Sequence, residues 1–125
     1  MSDELEISVH LAFSKGGRSV DSDGFSAIGQ LIDVSGTDYT HKNQSIGAAT
    51  AEALVIGEIT TCGWFIVKNL DATNYVEISR ATFTSGQGTV KVLAGETHAF
   101  RLGSSTPYAL ANSSSVEIEY IIIEA

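Results

Sequence analysis

The residues that could carry acid–base or metal chemistry are three isolated histidines, one acidic loop and one cysteine. His10, His41 and His98 are far apart in the sequence, and none has a second ligand at the spacing that zinc sites use. His10 falls on the polar side of an alternating segment and His98 on an apolar side. We therefore expect a surface role for His10 and a core role for His98.

The acidic loop Asp21-Ser22-Asp23-Gly24 begins like a calcium loop but lacks the later ligands and the closing glutamate of an EF-hand. Cys62 has no histidine or other base near it in sequence, which favours a buried thiol over a nucleophile. The chain also has no Gly-x-Ser-x-Gly elbow. We expect no catalytic residues, no metal site and no cofactor, and hence no enzyme.

Composition narrows the classes of partner. The 125 residues fit one domain, and 15 acidic against 7 basic residues give a net charge of −8. The basic residues stand singly, whereas proteins that bind nucleic acid or anionic membranes need clustered cations. One cysteine and no visible signal peptide indicate folding in a reducing compartment. We expect neither nucleic acid nor membrane as a partner.

Short alternating segments dominate the chain. Apolar and polar residues alternate from Leu5 to Phe13, which predicts a strand with one buried face. Residues 14–29 are predicted to form an irregular connection with Phe25 and Ile28 as anchors. Further strands are predicted at residues 30–34, 39–46, 50–59, 89–93, 97–102, 108–112 and 116–124.

The central segment Gly63–Ser79 is predicted to be a β-hairpin. Two runs rich in β-branched and aromatic residues flank a polar stretch in which Asn69, Asp71 and Asn74 are the turn-organising positions. The segment from Thr89 to Leu102 is interpreted in the same way, as a strand, a tight turn and a return strand.

About eight to ten short strands with turn signals between them, and no helix, predict an all-β fold. We expect an antiparallel β-sandwich of jelly-roll type formed by a single domain over residues 1–125. Residues 1–30 could serve as an assembly arm with an irregular loop.

Two strands break the alternation. The run Trp64-Phe65-Ile66-Val67 is apolar on both sides, and Ile121 and Ile123 make the polar side of the last strand apolar. A doubly apolar strand in a two-layer sandwich needs a second cover. Either a loop such as residues 14–29 or another subunit could supply it. The interface residues proposed from the sequence are Leu5, Ile7, Trp64, Ile121 and Ile123.

Three segments together resemble small structural proteins of tailed bacteriophage virions. They are GWFIVKNLDATNYVEIS (Gly63–Ser79), KVLAGETHAFRL (Lys91–Leu102) and YALANSSSVEIEYIIIEA (Tyr108–Ala125), and they cover about the C-terminal half. The resemblance implies a virion component made in the host cytoplasm, such as a capsid decoration or cement protein, a head-fibre base, or a head–tail or tail protein.

Of these roles, decoration of the capsid exterior suits a short acidic chain. We expect a homo-oligomer, with a trimer as the assumed form, that binds itself and the major capsid protein or other virion proteins. The alternative is a receptor- or carbohydrate-binding sandwich of a tail or head fibre. Its exposed aromatic residues would come from Tyr39, Trp64, Tyr75 and Tyr108.

Overall fold

The structure is a computed structural model that describes residues 5–8, 10–21, 29–32 and 34–125. It is all-β in these residues, and the chain divides into two compact units, residues 1–35 and residues 36–125. The interpretation of residues 1–125 as one domain, with an arm over residues 1–30, stays a prediction.

The described residues of the first unit form four short strands in two antiparallel pairs. β1 (Leu5–Ser8) pairs with β4 (Gly29–Ile32), and β2 (Ala12–Lys15) pairs with β3 (Arg18–Asp21). The turn between β2 and β3 consists of Gly16 and Gly17, both with positive φ. Two successive residues with positive φ form the type I′ turn that matches the twist of a hairpin, and glycine adopts this conformation without strain.

This unit differs from the sequence prediction in two places. The predicted strand Leu5–Phe13 is two strands with different partners, and the predicted irregular connection 14–29 contains β3 and the start of β4. The alternation was read correctly as extended backbone, but alternation does not reveal where a chain changes partners. The proposed anchors Phe25 and Ile28 lie outside the described residues.

The second unit is a sandwich of eight strands. They are β5 (Tyr39–Ile46), β6 (Glu52–Ala53), β7 (Cys62–Asn69), β8 (Val76–Ser79), β9 (Val90–Val92), β10 (Thr97–Ser104), β11 (Tyr108–Ala111) and β12 (Val116–Glu124). The strand predicted over residues 50–59 is reduced to the two residues of β6.

The eight strands form two antiparallel four-stranded sheets. Sheet I has the order β10-β7-β12-β5, and sheet II has the order β6-β11-β8-β9. Consecutive strands alternate between the sheets except at β8–β9, which are neighbours in sheet II. This is jelly-roll connectivity, and the predicted antiparallel β-sandwich is confirmed.

The predicted central hairpin is wrong. β7 pairs with β10 and β12 in sheet I, whereas β8 pairs with β11 and β9 in sheet II. The polar segment between β7 and β8 is therefore an arch that carries the chain from one sheet to the other. The connections β9–β10 and β11–β12 are arches as well. A polar turn occurs in hairpins and arches alike, so local turn residues could not separate the two.

One apolar core lies between the sheets. Alternate residues of β7 and β12 point into it, among them Phe65, Val67, Ile118 and Ile122, and all are at least 99 % buried. The ring of Phe65 lies edge-on to Phe100, with 5.4 Å between ring centroids. The alternation of the sequence thus places one side of each sheet I strand in the core and leaves the other side outward.

Asn69, at the end of β7, connects the two sheets through its side chain. It is fully buried, and its amide group donates to the carbonyl oxygens of Asn74 (2.9 Å) and Val92 (3.0 Å). Its Oδ1 accepts the backbone N–H of Asp71 at 2.8 Å. Val92 belongs to sheet II, so this one side chain joins the end of β7, the first arch and the opposite sheet.

We expect Asn69→Ala to lower the free energy of unfolding by about 3 kcal/mol, because one buried carbonyl group, one partly buried carbonyl group and one N–H lose their side-chain partner. Urea unfolding measures the loss. Asn43→Ala, at an exposed position of β5, should change the free energy by less than about 0.5 kcal/mol. Equal effects of the two substitutions would contradict the connecting role of Asn69.

Two carboxylates hold loops of the sandwich by accepting backbone N–H groups. Asp71 accepts from Asn74 (2.7 Å) and Thr73 (3.0 Å), and these bonds keep the pKa of its carboxyl below the usual value. Glu124 accepts the N–H and hydroxyl of Thr60, both at 3.0 Å, and the N–H of Thr37 at 3.1 Å. These bonds, those from Thr60 foremost, lower the pKa of Glu124 as well.

A lowered pKa in the folded state means that the ionised carboxylates stabilise the fold above the pKa of the unfolded chain. This stability is lost as the pH falls through the lower, folded-state pKa. The double variant Asp71→Asn/Glu124→Gln should therefore lose less of its urea midpoint between pH 7 and pH 3 than the wild type does. Glu58→Gln removes a charge elsewhere and serves as the control. Parallel curves for the wild type and the double variant would contradict this account.

Candidate interaction surface

The chain itself covers the centre of the outward side of sheet II, whereas Lys91 at the β9 edge is exposed. Glu77 and Leu110 are cross-strand neighbours on this side, yet they are only 3 % and 2 % exposed. The carboxylate of Glu77 accepts the N–H groups of Gly86 (2.9 Å) and Gly88 (2.8 Å) in the loop between β8 and β9. A Cβ atom at Gly88 would lie 2.6 Å from the Cβ of Glu77, so this close approach requires glycine. Glu77 thus holds the loop over sheet II.

The outward side of sheet I is apolar and partly exposed. Strand register places Ile66 between Ala99 of β10 and Ile121 of β12, in one row across the sheet. The neighbouring row contains Trp64, and Ile123 lies opposite Tyr39. We call this surface the outer apolar face, and it consists of Tyr39, Trp64, Ile66, Ala99, Ile121 and Ile123.

Exposure varies over the outer apolar face. Tyr39 is 69 % and Ile66 40 % exposed, Ala99 is exposed, and Ile121 and Ile123 are half-buried. Such a contiguous apolar surface on a small domain is typical of a contact site.

Trp64 is another half-buried residue of the outer apolar face. The guanidinium of Arg101 lies over its ring, 5.5 Å from the centroid, in a cation–π arrangement. The indole Nε1 is buried, and no hydrogen-bond acceptor for it occurs within the described part of the chain. Trp64 therefore contributes apolar surface and a packing platform for Arg101, while its N–H is unsatisfied.

Polar and charged residues border the outer apolar face. Glu119 of β12 contacts His41 with 2.7 Å between Oε2 and Nε2, and its neighbour across the strand pair is Lys68. Together with Ile66 and Ile121, these residues line a shallow depression of about 190 Å³. An apolar depression with a charged border is suited to bind a partner segment in which a polar side chain follows an apolar one.

The structure brings together only part of the residue set proposed from the sequence. Trp64, Ile121 and Ile123 lie on one surface, whereas Leu5 and Ile7 are half-buried residues of β1 in the first unit. Sequence reasoning missed Ala99 and Tyr39, because their membership follows from register between strands that are distant in the chain. The apolar run at Trp64–Val67 was the available signal for Ile66.

The aromatic residues considered for sugar binding do not form one cluster. Tyr39 and Trp64 are in sheet I, and Tyr108 is in sheet II. Tyr75 immediately precedes β8 of sheet II, and the ammonium of Lys91 lies 4.4 Å from its ring centroid. Of the four residues, only Tyr39 and Trp64 therefore share a surface, the outer apolar face.

The residues that could do chemistry are dispersed in the described part of the chain. His10 is exposed, His41 contacts Glu119, and His98 is a half-buried residue whose Nε2 lies 3.1 Å from Glu96. Cys62 is buried as predicted, and burial, with a smaller effect of the Glu124 charge, raises the pKa of its thiol. In the described part of the chain, no group of three or more metal-ligating side chains occurs. Residues 22–24 of the acidic loop lie outside the described residues.

No protein-family model matches the sequence, and the comparison with curated proteins finds no match. Among the described residues, no helix is long and apolar enough to cross a bilayer.

We expect Trp64→Phe to leave the free energy of unfolding within about 1 kcal/mol of the wild type. The substitution removes an unsatisfied buried donor, which offsets the smaller apolar area of the new ring. Trp64→Ala, which removes the ring itself, should lower it by about 2 kcal/mol or more in urea unfolding. A comparable loss in the phenylalanine variant would show that the indole N–H has a partner.

Proposed function

We propose that the chain is a structural subunit of a tailed-phage virion that decorates and stabilises the capsid exterior through contacts between subunits. The observation that carries this proposal is the difference between the two outward sides of the sandwich. A loop held by Glu77 covers the centre of sheet II, where Glu77 and Leu110 are buried, whereas sheet I presents the outer apolar face. A neighbouring protein would cover that face and gain the free energy of apolar burial.

The size of the outer apolar face fits a repeated, individually modest contact. The whole outward side of sheet I, with four strands of about eight residues, spans roughly 500 Å² at ordinary strand spacings, and the outer apolar face is one part of it. Stable pairwise interfaces bury about 1,600 Å² in total, and about 800 Å² on each partner. A single contact through this face would therefore bury less area than a stable pairwise interface and would be weak. Repetition over a shell would let many such contacts act together.

The charge of the chain supports the exterior of a capsid over its interior, and the sequence resemblance supports a virion component. The net charge is −8, and the five basic residues of the sandwich, at positions 42, 68, 80, 91 and 101, are separated along the chain. Such a surface would repel packaged DNA. The three segments that resemble virion proteins form β7 to β12, which include the two central strands of sheet I.

The direct test uses purified heads of the encoding phage that lack this protein. Ile121→Asp/Ile123→Asp should reduce co-sedimentation with the heads by about tenfold or more, because it puts two charges into an apolar contact. Leu93→Asp is the matched control, since Leu93 is 47 % exposed and lies outside the outer apolar face. Circular dichroism and urea unfolding verify that each variant is folded.

Undiminished binding of the folded double variant would overturn the proposed role of this face. Binding of the wild type to glycans or to host cells, without binding to heads, would instead favour the receptor-binding alternative. Binding of the wild type and the Leu93 variant, with loss in the double variant, supports capsid decoration.

A further inference from the structure

The hairpin arm, Ala12–Asp21, consists of β2, the Gly16–Gly17 turn and β3. Every residue from Ala12 to Ser19 is exposed, and Phe13 is 51 % exposed. A two-stranded hairpin by itself is marginally stable in water, and it gains stability when one of its faces packs on another surface. An exposed aromatic side chain on such a hairpin marks the face that would pack.

One face of the hairpin arm combines an apolar and a basic part. Phe13 and Lys15 are two residues apart on β2 and share a face, and Arg18 is the cross-strand neighbour of Lys15. Residues 14–19 contain both cations and no acid, although the chain as a whole has a net charge of −8. The tip of the arm is therefore attracted to acidic surfaces, which copies of this chain themselves provide.

The outward side of β12 has the matching pattern. Ile121 and Glu119 are two residues apart on one side of the strand, and Glu117 follows at the same spacing. Residues two positions apart in a strand are separated by about 6.8 Å, both in the arm and in β12. The arm therefore has an apolar residue followed by basic ones, and the outward side of β12 has an apolar residue followed by acidic ones.

We infer that the hairpin arm of one copy lies on the outer apolar face of a second copy, with Phe13 against Ile66 and Ile121. The two cations of the arm then lie beside Glu117, which is exposed, and Glu119, whose other neighbours are His41 and Lys68. The inference rests on the proposed function and specifies its contact between subunits. Such a contact joins two different surfaces, so it is heterologous and closes into a ring when the rotation permits.

Sedimentation velocity over a concentration series of the full chain tests this contact without any phage particle. Phe13→Asp and Ile121→Asp should each raise the dissociation constant of self-association by about tenfold or more, as expected for a central anchor. Leu93→Asp should leave it unchanged. Ala99→Asp, at an exposed position of the same face, replaces Ile121→Asp if that variant does not fold.

Mixing the two variants distinguishes a heterologous contact from a symmetric one. The Phe13→Asp copy retains an intact face, and the Ile121→Asp copy retains an intact arm. Each alone should stay monomeric, and an equimolar mixture should form a heterodimer. A face-to-face dimer would instead persist in Phe13→Asp and would overturn the inference.

Charge substitutions test the polar half of the contact. Lys15→Glu should weaken self-association by about fivefold or more at low ionic strength, and less at high salt, because salt screens exposed charges. Lys42→Glu changes the net charge equally outside the arm and should have no such effect. Equal effects of Lys15→Glu and Lys42→Glu on self-association would contradict a specific contact of Lys15 with the second copy.

A wild-type chain that remains monomeric throughout the series overturns the inference. If that chain still binds phage heads through the outer apolar face, the proposed function stands without it. If the chain self-associates as described but does not bind heads, the inference stands and capsid decoration fails.

Discussion

Burial of apolar side chains between the two four-stranded sheets is the interaction on which the rest of the structure depends. It uses one side of every strand and leaves each sheet with an outward side. For sheet II, the loop between β8 and β9 covers the centre of that side, with Glu77 binding two backbone N–H groups. For sheet I, Tyr39 and Ile66 remain exposed. Because the outward sides of the two sheets differ in this way, we expect association to use the outward side of sheet I.

The jelly-roll connectivity explains why polar residues recur at the ends of the sandwich. Nearly every connection crosses between sheets, so its backbone groups need partners that a hairpin ladder would otherwise supply. Asn69 provides such partners by joining β7, the first arch and Val92. Since β12 pairs with β5, whose residues are far away in sequence, the same connectivity requires long-range pairing before the core closes.

Sequence patterns predicted the fold class because alternation and turn residues are local. They failed on the hairpins at Gly63–Ser79 and Thr89–Leu102, since pairing depends on which sheet receives the next strand. For the surface, the surplus apolar residues Ile121 and Ile123 were visible in the last strand. The sequence could not predict that Ala99 and Tyr39 belong to the outer apolar face, because their positions follow from register with strands that are distant in the chain.

Hydroxyl-radical footprinting with mass spectrometry tests the central claim most directly, because it compares side-chain accessibility in free and assembled protein. The account predicts that labelling of Tyr39, Ile66 and Phe13 falls on assembly, while labelling of Leu93 and Val55 remains the same. Unchanged labelling of Ile66 and Tyr39 in an assembly that contains the protein would contradict the role of the outer apolar face.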